Sequence, residues 1–337
     1  MPGSWPPAAA LAAEVRLSAA LLAGRVRRTE LVAGGWLSAV AGAEVRLKLE
    51  CRQRTGSFKI RGACRRLLAL DPVRRRRGVV CASTGNHGAA VACAGLELEV
   101  PVTVFVPAGA EPAKLARIRR LGAGVEIRGR DCVEAEAAAR AEAAATGRTY
   151  VSPYNDPLVV AGQGTVGLEV VESWPEVEEV YVAVGGGGLA AGVAAAVKDK
   201  RPDLRVVGCS PSASAVMAAS VRAGRILDLP SAPTLSDGTA GGLEPGAITF
   251  PLCRELIDDW IEVEEAEIAA AVLGLLERER ILVEGAAGVA AAGLRRAAAG
   301  RSVGRAAVIL CGGNLPRPVL RGLLAGPAAG EPSSAQR

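Results

Sequence analysis

Aromatic residues make up 3% of the 337-residue chain, and it holds a single histidine, His87. So few Phe, Tyr and Trp side chains exclude the stacking platforms that nucleic-acid grooves set beside their cations. The arginine clusters Arg65-Arg66 and Arg74 to Arg77 are accordingly read as solvated helix ends, and no nucleic acid is expected as a partner. With one imidazole and no Cys-x-x-Cys pair, a zinc site would need cysteine and carboxylate ligands at unusual spacing, so no metal is expected. The eight cysteines lie scattered through apolar stretches, among them Cys81, Cys93, Cys209 and Cys311, as buried reduced thiols do. No leader pattern is found over Met1 to Ala10, and the longest uncharged apolar run, Tyr181 to Val197, is short and carries five glycines. A cytoplasmic protein without membrane contact is expected.

What remains is a chain that is 50% hydrophobic, its core built from Ala, Val, Leu and Ile. Short Val-rich runs recur: Gly78 to Ala82, Val102 to Val106, Val180 to Val184, Leu204 to Cys209 and Ala306 to Cys311. Their lack of polar alternation fits parallel strands covered on both faces. Helical stretches lie between them, such as Ala113 to Leu121, Val133 to Ala145 and Glu264 to Glu279. The fold class is therefore α/β, with open, mostly parallel sheets flanked by helices. Breaks at Asp71-Pro72 and at Ser152 to Pro157 divide it into a large domain, 1–72 plus 153–325, and a small inserted one, 73–152. A disordered tail is expected over 326–337.

Glycine-rich segments follow the apolar runs, where α/β proteins place ligands. In Val180-Tyr-Val-Ala-Val-Gly185-Gly186-Gly187-Gly188-Leu189, consecutive glycines let backbone N–H groups crowd one anion at a helix N-terminus. A dinucleotide fingerprint can be threaded through Gly185, Gly187 and Ala190. It asks for an acidic residue ending the next strand, where the chain reads Gly208-Cys209-Ser210, so a single phosphate fits better. In Thr55-Gly-Ser-Phe58-Lys59-Ile-Arg-Gly62, a lysine with apolar neighbours sits at a helix start, which favours its neutral, nucleophilic form. Taken alone, a lysine in such a place is more often an exposed surface residue. The third segment, Ser83-Thr84-Gly85-Asn86-His87-Gly88, offers hydroxyls, an amide and backbone N–H groups for a carboxylate. It does not have the form of a nucleophile elbow, so His87 is read as packing or hydrogen bonding.

Together with Lys48-Leu-Glu50, Ala161-Gly-Gln-Gly-Thr165 and Cys311-Gly-Gly-Asn314, these strings resemble the fold-type II pyridoxal 5'-phosphate (PLP) enzymes related to tryptophan synthase β. The match is to the serine/threonine dehydratase and serine racemase branch, over roughly residues 25–320. The resemblance implies a homodimer and a small mobile domain near 73–152; with the sequence ending soon after Asn314, the family's C-terminal regulatory domain is not expected. It implies that Lys59 carries the cofactor as a Schiff base, with Phe58 against its ring and Asn86 on the ring hydroxyl. Gly185, Gly186, Gly187, Gly188 and Leu189 would hold the phosphate, and Cys311 would stand beside the pyridine nitrogen. Ser83, Thr84, Gly85, Asn86 and His87 would surround the substrate carboxylate. A neutral thiol cannot protonate the pyridine nitrogen, so prompt elimination is favoured over a long-lived carbanion.

The activity so implied is loss of water and then ammonia from L-threonine or L-serine, giving a 2-keto acid. Thr84 stands where racemases of the branch have a catalytic hydroxyl residue serving the opposite face of the α-carbon and common threonine dehydratases an alanine, so the resemblance makes Thr84 a catalytic candidate beside Lys59 and serine racemase one alternative. The Ser83-Thr84-Gly85-Asn86 form is similar also to dehydratases of the hydroxyectoine-utilisation type, which extends the alternatives to 3-hydroxyaspartate or phenylserine. Racemases hold a divalent metal through an acidic residue where this chain reads Val207 to Met217 without a carboxylate. Tyr154 and the stretch Ser236 to Gly242 bear on pocket shape in ways the sequence does not place.

Overall fold

The computed structural model describes residues 7–326. Among these, the strands are β1 (Leu31–Ala33), β2 (Val45–Lys48), β3 (Val79–Ala82), β4 (Val102–Val106), β5 (Gly124–Ile127), β6 (Thr149–Tyr150), β7 (Glu179–Ala183), β8 (Arg205–Pro211), β9 (Asp259–Val263) and β10 (Ala306–Ile309). They form a larger sheet in the order β1-β2-β10-β7-β8-β9 and a smaller one in the order β5-β4-β3-β6. Every pairing is parallel except that of β1 with β2.

The five Val-rich runs are β3, β4, β7, β8 and β10. The strands the sequence pattern did not reveal are mostly sheet edges. Most of β5 is exposed, and β9 (Asp259-Trp-Ile-Glu-Val) is half-buried, so neither needs apolar residues on both faces. Interior β2 escaped because Arg46 and Lys48 interrupt its apolar pattern. Two helices begin within the glycine-rich segments themselves, at Gly188 and at Asn86. Gly and Asn are weak helix formers, and packing of the turns that follow overrides them. The thiols are free, but not all are buried: Cys132 is exposed, and Cys51 and Cys93 are partly so. Apart from Gly326, the tail expected over 326–337 lies outside the described residues.

The helix Pro157–Ser173 organises the centre. A Cβ on its Gly162 would lie 2.7 Å from Gly62 Cα, and one on Gly164 would lie 2.7 Å from the Gly192 carbonyl oxygen. The helices Lys59–Leu68 and Gly188–Lys200 thus approach it backbone to backbone, which gives the Ala161 to Thr165 string a packing reason. The helix that starts at Lys59 also bridges the two halves, because its Ile60, Cys64 and Leu67 enter the core of the smaller sheet.

Two residues beyond Lys59, Arg61 is fully buried. It donates to Glu50 from Nε and Nη2 at 2.8 Å each, and to Glu169 from Nη1 at 2.6 Å and Nη2 at 2.9 Å. Lys48 Nζ donates to Glu169 at 2.5 Å and to the Thr29 carbonyl at 2.7 Å. Two cations against two carboxylates leave no net buried charge. Burial pushes the Glu50 carboxyl up, but Arg61, joined by Lys48 and the Thr29 hydroxyl, more than offsets it and holds the carboxyl below its usual range. The helix start is thereby bolted to β2 and to Pro157–Ser173.

Candidate active site

The glycine-rich segments lie at the carboxyl ends of β3, β7 and β10, where open parallel sheets bind ligands. Because β7 and β10 are neighbours, the tetraglycine turn and Cys311 emerge side by side. Gly187 caps the helix Gly188–Lys200 with φ of 82°, in the left-handed region. The carbonyls of Gly186 and Gly187 are engaged by Thr249 Oγ1 at 2.7 Å and Cys253 Sγ at 3.8 Å. The first in-helix bond runs from Ala191 N to Gly187 O, which leaves the N–H groups of Gly188, Leu189 and Ala190 free of intrahelical acceptors. Side chains have no room in this turn. A Cβ at Gly185 would meet Thr239 Cα at 2.7 Å, and one at Gly186 would meet the Tyr154 ring at 2.5 Å. The loop Ser236 to Gly242 thus covers the turn from one side and Tyr154 from the other, its hydroxyl accepting from Glu244 N at 2.9 Å.

Lys59 is the first residue of its helix, and Phe58 is the cap. Its Nζ donates to the Pro153 carbonyl at 2.9 Å and lies 5.1 Å from the Phe58 ring centroid. Loss of hydration pulls the amine down to about 8, against weaker opposing pulls from Cys311 and Glu284. The neutral, nucleophilic form is therefore far better populated near neutrality than in an ordinary lysine.

In the third segment Gly85 caps the helix Asn86–Leu98, and Ala89 N is its first intrahelical donor, so the N–H groups of Asn86, His87 and Gly88 are left over. Ser83 Oγ accepts from Gly85 N at 3.1 Å. Thr84 is half-buried, and its hydroxyl has no hydrogen-bond partner among the described residues. The His87 ring turns away, its Nε2 at 2.8 Å from the Val151 carbonyl. Burial, helped by Lys59, lowers the imidazole to about 3, so it is neutral and carries its proton on Nε2. What His87 offers an anion is its backbone N–H, since the buried Nδ1 can only accept.

Cys311 is buried, and desolvation raises its thiol well above the usual range, so it is neutral. Its carbonyl accepts from Phe58 N at 3.0 Å, tying it to the lysine turn. The sequence pattern did not single out Glu284, a carboxylate in Ile281-Leu-Val-Glu-Gly-Ala-Ala whose apolar flanks were the available signal. Glu284 is 5% exposed. Its Oε1 accepts from Asn86 Nδ2 at 2.8 Å and its Oε2 from Asn314 N at 3.2 Å. Desolvation raises it to about 7, against lowering by the Asn86 hydrogen bond. Asn314, known from the sequence only as the end of a motif, donates from Nδ2 to Thr55 O at 2.9 Å and to Asn86 Oδ1 at 2.7 Å.

A side-chain-free turn with outward N–H groups, a desolvated lysine at a neighbouring helix start and a neutral thiol form a donor set that fits a phosphorylated pyridine aldehyde. Residues 22–312 match the family model described as pyridoxal-phosphate dependent enzyme, and the chain belongs to that family. It is 44% identical over 292 residues to the L-threonine ammonia-lyase of Thermotoga maritima, covering 86% of this chain and 72% of that protein. In structure it is similar to the processed form of threonine deaminase isoform 2 from Solanum lycopersicum, with a TM-score of 0.89 and 30% identity over 96% of this chain and 95% of that one. Maize serine racemase gives a TM-score of 0.86 at 32% identity, over 92% and 95% of the two chains. No group of His, Cys, Asp and Glu side chains arranged to hold a metal is found among the described residues.

Proposed function

We propose that this PLP-dependent enzyme is an ammonia-lyase that dehydrates and deaminates L-threonine or L-serine to a 2-keto acid. The observation that carries the reading is the conjunction of Lys59, desolvated at a helix start, with the tetraglycine turn, in a chain that shares 44% identity with a threonine ammonia-lyase. When bound, the cofactor supplies an aldehyde for exchange with the substrate amine and an electron sink for the α-carbon.

The roles of this chain's residues follow from where they stand. The N–H groups of Gly185 to Leu189 bind the phosphate, with Tyr154 and Thr239 walling the turn. Lys59 is the group placed to take the α-proton at Nζ, and burial, which lowers its proton affinity to about 8, eases its service as a base. Ser83, Thr84 and Gly85 with the N–H groups of Asn86 and His87 hold the substrate carboxylate at a helix N-terminus, where the dipole favours an anion. Asn86 presents its amide to the ring hydroxyl. Cys311 keeps its proton and leaves the pyridine nitrogen unprotonated.

All four strands of the smaller sheet lie between Val79 and Tyr150, which supports a separate small domain over 73–152 that closes on the carboxylate and excludes water. A homodimer and a cytoplasmic location belong to the same proposal. No helix among the described residues is long and apolar enough to cross a membrane.

The test is a coupled keto-acid assay across L-serine, L-threonine, 3-hydroxyaspartate and phenylserine, with borohydride reduction to fix the cofactor on the chain. Keto acid from threonine or serine and a label on Lys59 are expected. A label elsewhere, or turnover confined to the bulkier or acidic substrates, would sink the reading.

A further inference from the structure

Asn86 belongs to the smaller sheet's first helix, yet its side chain is held wholly by residues outside that unit. Its Oδ1 accepts from Asn314 Nδ2 at 2.7 Å, and its Nδ2 donates to Glu284 Oε1 at 2.8 Å. Asn314 and Glu284 are themselves fixed by backbone. Asn314 Nδ2 donates to the Thr55 carbonyl at 2.9 Å, and the backbone N of Asn314 donates to Glu284 Oε2 at 3.2 Å. A carbonyl can only accept and an N–H can only donate, so these two backbone groups dictate the orientation of every amide in the chain of bonds. Turning the Asn86 amide over would set its oxygen against the Glu284 carboxylate and its NH2 against the Asn314 NH2. Packing also holds Glu284 in place, since a Cβ on Gly312 would stand 2.2 Å from its Oε1.

We infer that Glu284 and Asn314 are positioning residues that lock the Asn86 amide with its remaining N–H as a donor toward the cofactor ring. This rests on the proposed placement of Asn86 at the ring hydroxyl. The clamp joins the lysine turn through Thr55, the smaller sheet through Asn86 and the strand-end segment after β10 through Asn314. The donor is therefore set only when the two sheets meet. Arg117, on the smaller sheet's helix Pro112–Arg120, donates to the same Thr55 carbonyl at 2.7 Å and adds a second tie.

The clamp has a proton-dependent state, because Glu284 is nearly buried and faces several ionisable groups. Lys59 and Arg117 lie on the cationic side, with Asp237, Cys51 and Cys311 on the other. As a carboxylate Glu284 accepts from both asparagines; once protonated, one oxygen becomes a donor and competes with them.

The experiment uses the full chain loaded with PLP and three readouts besides turnover. These are cofactor affinity by fluorescence titration, the balance of long- and short-wavelength absorption of the bound cofactor, and the change in that balance from pH 6 to 8. Glu284→Gln keeps the volume but loses one acceptor, and Asn314→Ala removes the donor to Asn86. Each is expected to weaken cofactor binding about tenfold, the worth of one buried hydrogen bond, and to shift the band balance. Glu284→Gln is also expected to abolish the pH dependence. Asn314→Asp, which is isosteric but sets an oxygen against Asn86 Oδ1, should be at least as damaging as alanine; a merely space-filling role would leave it silent. If Glu284→Gln does not fold, the two Asn314 variants carry the test alone. Parent-like affinity, band balance and pH profile in folded variants overturn the inference. Asn86→Ala separates the two claims: if it too is silent, the placement of Asn86 falls, whereas a disturbed Asn86→Ala beside silent Glu284 and Asn314 variants removes the clamp alone.

Discussion

The Lys59 amine lies 2.9 Å from the Pro153 carbonyl, so the nucleophile of one segment is parked on the turn that carries Tyr154. The contact costs the amine little, because it supplies an acceptor in place of lost water while burial still depresses its proton affinity. It also places the lysine beside the wall of the phosphate turn, since the Tyr154 ring covers Gly186.

Replacing Lys59 by alanine is expected to remove borohydride-fixable cofactor and to lower keto-acid formation at least about 10³-fold, because one group serves as both tether and base. Mass mapping of the reduced peptide and a steady-state assay check both. A variant within tenfold of the parent would place the base elsewhere.

The Glu284 carboxyl has a pH signature in stability. Its folded value is about 7, above the ordinary range near 4.3, so between those limits the folded state holds more protons than the unfolded. Its contribution is therefore favourable below about pH 4.3 and is lost progressively as pH rises to about 7, by about 4 kcal/mol at most. In cofactor-free protein, the stability of Glu284→Gln relative to the parent should improve from pH 5 to pH 8. Denaturant melts at the two pH values check the sign, and equal differences at both would refute it.

Gly162→Ala places a methyl 2.7 Å from Gly62 Cα, in backbone that cannot swing aside. Overpacking of this kind costs about 3 kcal/mol, and it should also displace the helix that begins at Lys59. Thermal melting reports the first effect and a lowered cofactor affinity the second.

Arg61→Met strands Glu50 and Glu169 without their shared guanidinium. The loss should be about 3–5 kcal/mol at pH 7 and smaller at pH 4, where the Glu50 carboxyl, left without its guanidinium, can take a proton. Chemical denaturation at both pH values distinguishes this from simple loss of packing, which would not vary with pH.

Thr84 carries a hydroxyl with no partner among the described residues, beside the helix N-terminus proposed to hold the substrate carboxylate. Thr84→Ala should remove whatever D-serine the parent forms from L-serine while keto-acid formation stays within about threefold, the effect of a weak contact rather than a catalytic one. Chiral analysis of unreacted serine decides the matter, and D-serine persisting in the variant would deny Thr84 a part in proton delivery.

The sequence by itself determined the α/β class, the strands buried on both faces and the glycine-rich turns that follow them. These are local signals: an unbroken Val run needs cover on both sides, and Gly185 to Gly188 announces a backbone too crowded for side chains. The start of the lysine helix was legible for the same reason. Tertiary structure alone decided which distant segments meet. Lys48 and Arg61 look like breaks in an apolar pattern until Glu50 and Glu169 are seen to neutralise them. The single imidazole, read from the sequence as packing or hydrogen bonding, finds its partner in the distant Val151 carbonyl. Glu284 passes as one acid in an apolar stretch until Asn86 and Asn314 close on it. Hydrogen bonds between residues some 200 positions apart leave no periodicity in the chain, because only the folded backbone fixes their distance and direction.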